Sequence, residues 1–250
     1  MKIARYALEG AVEYGILEEG GMRRAKGNPY DGLEILDEVV DLRTLRLLSP
    51  SLPGKAVCIG LNYRDHAEEF GLPIPASPVV FIKPSTAVIN PGDLVEKPAM
   101  CSRLDYEAEL VVVIGKKARH VPAESAMAYV LGYTCGNDVT ARDLQPKDGQ
   151  WTIAKSFDTF LPFGPWIETD VDSSSLRIQA FLNGERKQSS NTKNLIFPVK
   201  TLISYLSSIM TLEPGDIIMT GTPSGVGPME PGDEIRIEIE GIGSLVNRVR

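Results

Sequence analysis

Two glutamates stand two residues apart at the head of an apolar run, Arg103-Leu-Asp-Tyr-Glu-Ala-Glu-Leu-Val-Val-Val-Ile114, in which Glu107 and Glu109 precede residues 111–114. No charged or turn-forming residue interrupts that run, so it reads as a buried strand. Alternate residues of a strand share a face, which sets the two carboxylates on one side, roughly 6.6 Å apart along the backbone. Carboxylates that lose water together repel each other unless a cation lies between them. One reading is therefore an all-oxygen site for a hard divalent ion, with Mg²⁺, Mn²⁺ and Ca²⁺ the ions that suit it. The other is an exposed strand end whose glutamates face water. Spacing alone leaves both open.

A metal needs a third oxygen ligand, and Gly136-Asn-Asp-Val-Thr-Ala-Arg-Asp-Leu-Gln145 offers Asp138 in a polar loop. Three carboxylates with waters or substrate oxygens would suit octahedral Mg²⁺. Asp before Val-Thr-Ala-Arg is equally a good helix N-cap. Arg142 and Gln145 lie within a turn of each other if the segment is helical. They could grip a carboxylate, Arg through its bidentate fork and Gln through its amide, or simply face solvent. Lys155 sits among apolar neighbours in Trp151-Thr-Ile-Ala-Lys-Ser-Phe157. Such a lysine either snorkels to the surface or stabilises a developing oxyanion. Gly221-Thr-Pro-Ser-Gly-Val-Gly227 follows an apolar strand and could offer backbone N–H groups or Thr222 to an anion. It lacks the lysine of a phosphate-binding P-loop, which argues against nucleotide binding. His66 and Glu69 are three apart on an expected short helix over residues 65–70 and can pair there. A carboxylate that orients a histidine builds a general base near neutral pH, and it is also an ordinary surface ion pair.

The elements that must place these residues are strand-rich. Lys2–Leu8, residues 11–17 and residues 22–25 alternate as short strands, followed by a polar connection and the linker Ser49-Pro-Ser-Leu-Pro-Gly54. This divides the chain into a small N-terminal β-rich unit, residues 1–52, and a main domain, residues 53–250, on which so small a piece must pack. Residues 56–61 and 79–82 read as strands, residues 123–131 as a helix, and residues 178–182 as a hairpin arm ending at Asn183-Gly184. Residues 198–210 form an amphipathic helix, and residues 217–220, 234–240 and 243–249 are closing strands. The turns Glu213-Pro-Gly-Asp216 and Glu230-Pro-Gly-Asp233 punctuate them. Without regular βαβ alternation or a Gly-x-Gly-x-x-Gly after a strand, the class is mixed, strand-rich α+β rather than a TIM barrel or Rossmann fold.

Composition narrows the function. A net charge of -7 with no basic cluster argues against a nucleic-acid partner. No segment has the length of a membrane span, and the N-terminus meets an acid before a signal-peptide core can form. Cys58, Cys101 and Cys135 are odd in number and have no Cys-x-x-Cys, as expected of reduced thiols in a cytoplasmic protein. Only His66 and His120 are present, so a His-rich zinc site is excluded by counting.

Five motifs in order resemble the fumarylacetoacetate hydrolase family. They are Gly60-Leu-Asn-Tyr-Arg-Asp-His-Ala-Glu-Glu69, Asp105-Tyr-Glu-Ala-Glu-Leu110, Gly136-Asn-Asp-Val-Thr-Ala-Arg-Asp-Leu-Gln145, Ala154-Lys-Ser-Phe157 and Gly221-Thr-Pro-Ser-Gly-Val-Gly227. They cover about residues 55–250. The N-terminal unit resembles the small extra domain of many bacterial members, and no aspartate matches the additional metal ligand of the animal fumarylacetoacetase. The resemblance implies a mixed β-sandwich roll around a Mg²⁺ or Mn²⁺ site, in a homodimer. It implies Glu107, Glu109 and Asp138 on the metal. Arg142, Gln145, Lys155 and Thr222 would surround the substrate, with Tyr63 and the segments 70–74 and 157–163 choosing it. His66 and Glu69 become the water-activating pair, on a lid bounded by Pro73, Pro75 and Pro78. The implied activity is carbon–carbon bond cleavage in a 2-oxo acid of the acylpyruvate type. Alternatives on the same site are decarboxylation of oxaloacetate and isomerisation or decarboxylation of 2-hydroxyhepta-2,4-diene-1,7-dioate-type dicarboxylates. A non-catalytic, metal-dependent ligand-binding protein is the alternative of a different class.

Overall fold

The computed structural model describes residues 1–69, 71–146 and 149–250; Phe70, expected to end the short helix and to border the substrate, lies outside the described residues with Lys147 and Asp148. The apolar run is the strand Ala108–Ile114, buried at every position. It lies between Val130–Asn137 and Ile217–Met219, antiparallel to both, with Val112 opposite Tyr133 on one side and Ile218 on the other. Its two faces serve two cores. Leu110, Val112 and Ile114 pack with Ile178, Ile237 and Leu202. Val111 and Val113 pack with Ala56, Cys58, Phe163 and Ile217. A strand covered on both faces is apolar throughout, which is why this run shows no alternation. By the same period of two, Glu109 falls on the face of Val111 and Val113.

From Ile217–Met219 the sheet continues to the parallel strand Ala56–Gly60 and then to Val79–Lys83. In the other direction Val130–Asn137 pairs with Leu161–Glu168, and Lys2–Leu8 adds to the latter, Ile3 opposite Ile167. Ala11–Glu18, Gly21–Asn28 and Gly32–Val40 follow in antiparallel order. The N-terminal strands thus extend the central sheet. Gly32–Val40 falls where the sequence reads as a polar connection, because this outermost strand has no buried residue and so no apolar signature.

The first core is closed by a second sheet, Glu185–Asn191, Arg177–Leu182, Glu234–Ile239, Gly243–Val249 and Leu94–Val95. Its inward residues Ile178, Ile235, Ile237 and Leu245 reach that core. Burying each such side chain contributes about 1.5–3 kcal/mol before conformational entropy is counted. The helix Val199–Ile209 seals one end with Val199, Leu202, Ile203 and Leu206 on a single stripe. Asn183 and Gly184 both take positive φ between the hairpin arms, as the sequence predicts for a type I′ turn. The helix expected over residues 123–131 is instead a 3₁₀ segment, Ala123–Tyr129. Val130–Asn137 takes over as a strand, its Tyr133, Thr134 and Cys135 fully buried in the sheet. The fold is mixed, strand-rich α+β with packed sheets.

A small third sheet sets the site. Leu104–Tyr106 lies between Thr140–Ala141 and Gly227–Met229, Leu104 opposite both Ala141 and Met229. It brings the chain before Glu107, the chain after Asp138 and the end of the 221–227 loop to one place.

Candidate active site

Glu107 occupies the step between Leu104–Tyr106 and Ala108–Ile114, where the chain leaves the small sheet for the large one. Side chains replace ladder bonds there. Glu107 N–H donates to Asn137 Oδ1 at 2.9 Å and Ala108 N–H to Gln188 Oε1 at 2.9 Å. Asp138 follows the end of Val130–Asn137, and its N–H donates to the Glu107 carbonyl at 2.9 Å. Glu107, Glu109 and Asp138 are all buried, each offering an oxygen within 4.8 Å of the others. They line a cavity of about 280 Å³ together with His66, Arg103, Asp105, Arg142, Gln145, Trp151, Lys155 and Thr222.

Cations gather on this cluster. Lys155, at the end of the short helix Thr152–Lys155, donates to Glu107 Oε2 at 2.9 Å and to Asp138 Oδ2 at 2.7 Å. Burial disfavours its charge, but Asp138 and Glu107 outweigh burial and raise its pKa. Lys155 is therefore a fixed ammonium rather than a surface snorkel. Arg142 Nε donates to Asp105 Oδ2 at 2.8 Å, Nη1 donates to Gln145 Oε1 at 2.5 Å, and Nη2 reaches Glu107 Oε1. Burial opposes ionisation of Glu107 too, yet Lys155 and Arg142 hold its carboxyl below the usual carboxylate range. Glu109 is different. Among the described residues it makes no ion pair, and its Oε2 accepts only the Gly221 N–H, at 2.7 Å. Burial, then Asp138, then Glu107 push its carboxyl well above the usual range.

This donor set fits a hard divalent ion. Its three carboxylates are buried, their oxygens converge, and Glu109 makes no ion pair among the described residues, so burial and the two neighbouring carboxylates outweigh the attraction of Lys155. Glu107, Glu109 and Asp138 would hold the ion. Among the described residues no backbone N–H donates to the Asp138 carboxylate, so it caps no helix, and its two oxygens are engaged by Lys83 and Lys155.

His66 lies on the helix Arg64–Glu69, with Nδ1 3.3 Å from Glu69 Oε2. Glu69 also accepts the Gly225 N–H at 3.1 and 3.2 Å, tying this helix to the 221–227 loop. Two N–H groups of that loop are therefore spent on carboxylates of the protein, Gly221 on Glu109 and Gly225 on Glu69. Both glycines have positive φ, and a Cβ at Gly225 would sit 2.4 Å from the Lys187 carbonyl. Thr222 reaches the cavity while its Oγ1 accepts from Gln188 Nε2 at 2.9 Å. Tyr63 does not line the cavity. It immediately precedes the Arg64–Glu69 helix, its backbone forms an isolated bridge with Leu195, and its ring is fully buried in the first core.

The geometry adds residues that local pattern does not reveal. Asp105, fully buried, binds Arg103 and Arg142; Asn137 and Gln188 hold the backbone on either side of Glu107. Lys83 has no exposed surface. It donates to Asp138 Oδ1 at 2.5 Å, to the Val139 carbonyl at 3.0 Å and to the Phe160 carbonyl at 2.5 Å. A lysine directly after an apolar strand was the one local hint. Lys83→Met should destabilise the protein by about 3–5 kcal/mol, because it strips a buried carboxylate of one partner and leaves two carbonyls unmet. Denaturant midpoints at pH 7 check this, and an unchanged midpoint would mean that Lys155 alone satisfies Asp138.

Comparison with known proteins gives consistent relatives. Residues 55–250 match the family model described as fumarylacetoacetate (FAA) hydrolase C-terminal, and residues 1–50 match one described as Rv2993c-like, N-terminal. The structure of a 2-hydroxyhepta-2,4-diene-1,7-dioate isomerase from Mycobacterium marinum is similar over 100% of this chain and 98% of its own, with 43% identity and a TM-score of 0.92. A fumarylpyruvate hydrolase from Pseudomonas aeruginosa, in complex with Mn²⁺ and pyruvate, is similar over 82% of this chain and 91% of its own, with 36% identity and a TM-score of 0.74. The mitochondrial oxaloacetate tautomerase of Rattus norvegicus is 43% identical over 79% of this chain and 66% of its own.

Proposed function

The chain belongs to the fumarylacetoacetate hydrolase family, and from that premise we propose that it is a Mg²⁺- or Mn²⁺-dependent enzyme cleaving a carbon–carbon bond in a 2-oxo acid of the acylpyruvate type. The observation that carries this reading is one cavity lined by a buried three-carboxylate cluster, a fixed ammonium and a carboxylate-oriented histidine. The pyruvate in the fumarylpyruvate hydrolase complex is the product such a cleavage releases, which supports the same class of substrate.

When bound at Glu107, Glu109 and Asp138, the divalent ion would supply Lewis acidity and a template for the oxo-acid oxygens. The remaining work falls to the chain's own groups. Arg142 and Gln145 face the cavity as partners for the substrate carboxylate. His66, oriented by Glu69, takes a proton from a water whose oxygen attacks the distal acyl carbonyl. The bond between that carbon and the adjacent methylene breaks, and its electron pair passes into the pyruvate enolate. Lys155 has two of its three N–H donors on carboxylates, and the third can meet the enolate oxygen. Return of the His66 proton to the enolate carbon leaves pyruvate and the free acid.

A second reading has its own support. The relatives include a 2-hydroxyhepta-2,4-diene-1,7-dioate isomerase and an oxaloacetate tautomerase, and a keto–enol proton shift on this site would need the enolate-holding groups and no attacking water. Oxaloacetate decarboxylation would use the same groups. An ultraviolet assay with Mg²⁺ across acylpyruvates, oxaloacetate and the hydroxy-dienedioate ranks these reactions. Acylpyruvates are expected to turn over fastest, with a chelator abolishing the rate and Mg²⁺ or Mn²⁺ restoring it. Absence of turnover on all of them would leave a metal-dependent binding protein. The homodimer belongs to the same proposal, and sedimentation of the purified protein checks it.

A further inference from the structure

Two consecutive N–H groups, where the chain leaves the small sheet for the large one, are met by side-chain amides, and the two amides are used differently. Asn137 Oδ1 accepts the Glu107 N–H at 2.9 Å, but its buried Nδ2 has no hydrogen-bond partner among the described residues. Gln188, buried on the strand Glu185–Asn191, accepts the Ala108 N–H through Oε1 at 2.9 Å. Its Nε2 is fully engaged as well. It donates to the Pro223 carbonyl at 2.8 Å and to Thr222 Oγ1 at 2.9 Å, with the Ser224 carbonyl a longer contact at 3.4 Å. One side chain thus joins the strand that bears the carboxylates to the loop that borders the cavity.

The backbone fixes the sense of these bonds. A peptide N–H can only donate and a carbonyl can only accept, so Ala108 holds the amide oxygen of Gln188 and Pro223 holds its amine. Thr222 Oγ1 is therefore the acceptor toward Gln188. A hydroxyl keeps one hydrogen of its own, and that of Thr222 donates to no group among the described residues, although the side chain lines the cavity. The loop around it is pinned on both sides. Gly221 N–H is held by Glu109 at 2.7 Å, and Gly225 lies so close to Lys187 that a Cβ would sit 2.4 Å from its carbonyl. Only the direction of the hydroxyl hydrogen is left for Gln188 to set.

We propose that Gln188 is a positioning residue that commits the Thr222 hydroxyl to donate into the cavity, toward an anionic oxygen of the bound oxo acid. The inference rests on the proposed oxo-acid site and adds to it a residue that does not itself line the cavity. An unconstrained threonine hydroxyl rotates and serves as donor or acceptor with equal ease. With its oxygen already accepting from Gln188, its remaining role is that of donor, and a donor set in advance toward negative charge gives a charge-assisted bond without reorganisation.

A double-mutant cycle on ligand binding tests this without relying on turnover. The probe is oxalate, a planar dianion shaped like the enolate of pyruvate, titrated calorimetrically into Mg²⁺-loaded protein. Thr222→Val should weaken oxalate binding about 10-fold or more, the loss of a hydrogen bond to a charged group, and Thr222→Ser should keep most of the affinity. Gln188→Met should weaken it roughly 3- to 10-fold when Thr222 is present. In the Thr222→Val background the same change should add less than about 2-fold, because the hydroxyl through which Gln188 acts is gone. Gln188→Glu keeps an acceptor for the Ala108 N–H but lacks at least one of the two donors, and it completes the same cycle if Gln188→Met does not fold. An equal loss with and without the Thr222 hydroxyl overturns the proposal and marks Gln188 as support for the loop alone. Undiminished oxalate binding in the Gln188 variants overturns it too. Wild type that binds Mg²⁺ but no oxalate would overturn the oxo-acid site and this role together. Failure of acylpyruvate cleavage with the coupling intact would count against the proposed reaction alone.

Discussion

Glu109→Gln is expected to lower metal-dependent turnover by on the order of 10³-fold while leaving the metal-free protein at least as stable as wild type. Glu109 is the one carboxylate of the cluster that makes no ion pair among the described residues, and burial with Asp138 and Glu107 nearby outweighs Lys155 and drives it to keep its proton. Glutamine preserves the Gly221 N–H bond, since its amide oxygen can replace Oε2. It removes like-charge repulsion from a buried place and also one of the three proposed anionic ligands. Stability and metal affinity should therefore move apart, with Mg²⁺ binding weakened by more than the roughly 10–100-fold typical of partners behind the ligands. Thermal melts and Mg²⁺ titrations on the same preparation read both quantities. A variant that binds Mg²⁺ as wild type does would remove Glu109 from the ligand set.

The pH dependence follows in sign. The folded state holds the Glu109 proton more tightly than the unfolded chain. Metal-free stability therefore falls as pH rises from the ordinary carboxylate range through the raised value. Glu109→Gln should lack that slope. Glu107 works in the opposite direction. Burial opposes its charge, but Lys155 and Arg142 prevail, so its contribution is present above the ordinary range and lost as pH falls through the lowered value.

His66→Ala should reduce acylpyruvate hydrolysis by roughly 10²–10⁴-fold, the usual contribution of a positioned general base, with Mg²⁺ affinity little changed. His66 belongs to the Arg64–Glu69 helix and is no part of the carboxylate cluster, so removing the ring leaves Glu107, Glu109 and Asp138 with their partners. The comparison with oxaloacetate separates the two readings of the reaction. Enolisation needs no attacking water, so its rate should fall less than hydrolysis in His66→Ala. Glu69→Gln should show a smaller loss than His66→Ala, because the amide keeps the Gly225 contact but orients the imidazole less strongly. Hydrolysis at the wild-type rate in His66→Ala would place the base elsewhere.

Much of this arrangement is legible along the chain because it depends on local geometry. Period two puts Glu107 and Glu109 on one face, and an uninterrupted apolar run makes Ala108–Ile114 a strand buried on both sides. Asn183-Gly184 dictates its tight turn, and the apolar stripe of Val199–Ile209 dictates a helix. Where local preference was weak, the surroundings decided. Val130 left a helical reading to join the central sheet, and Gly32–Val40 became an edge strand without a buried residue.

Which charges neutralise one another was set by the packing of distant strands. Lys83 and Asp138 are separated by 55 positions and by three intervening strands of the sheet, and they meet where the chain after Val79–Lys83 returns to pair Val88–Ile89 with Leu161–Glu168, the neighbour of Val130–Asn137. Tyr63 belongs to the core although it adjoins a motif, since its side chain turns into the first core rather than toward the cavity. Arg103 and Arg142 share Asp105 because two strands of the small sheet pair at Leu104 and Ala141. Which residues could carry charge, and on which face of a strand they stand, is legible along the chain because backbone period is a local property. Burial, partner and protonation state depend on groups distant in the chain, and those were settled only when the sheets packed.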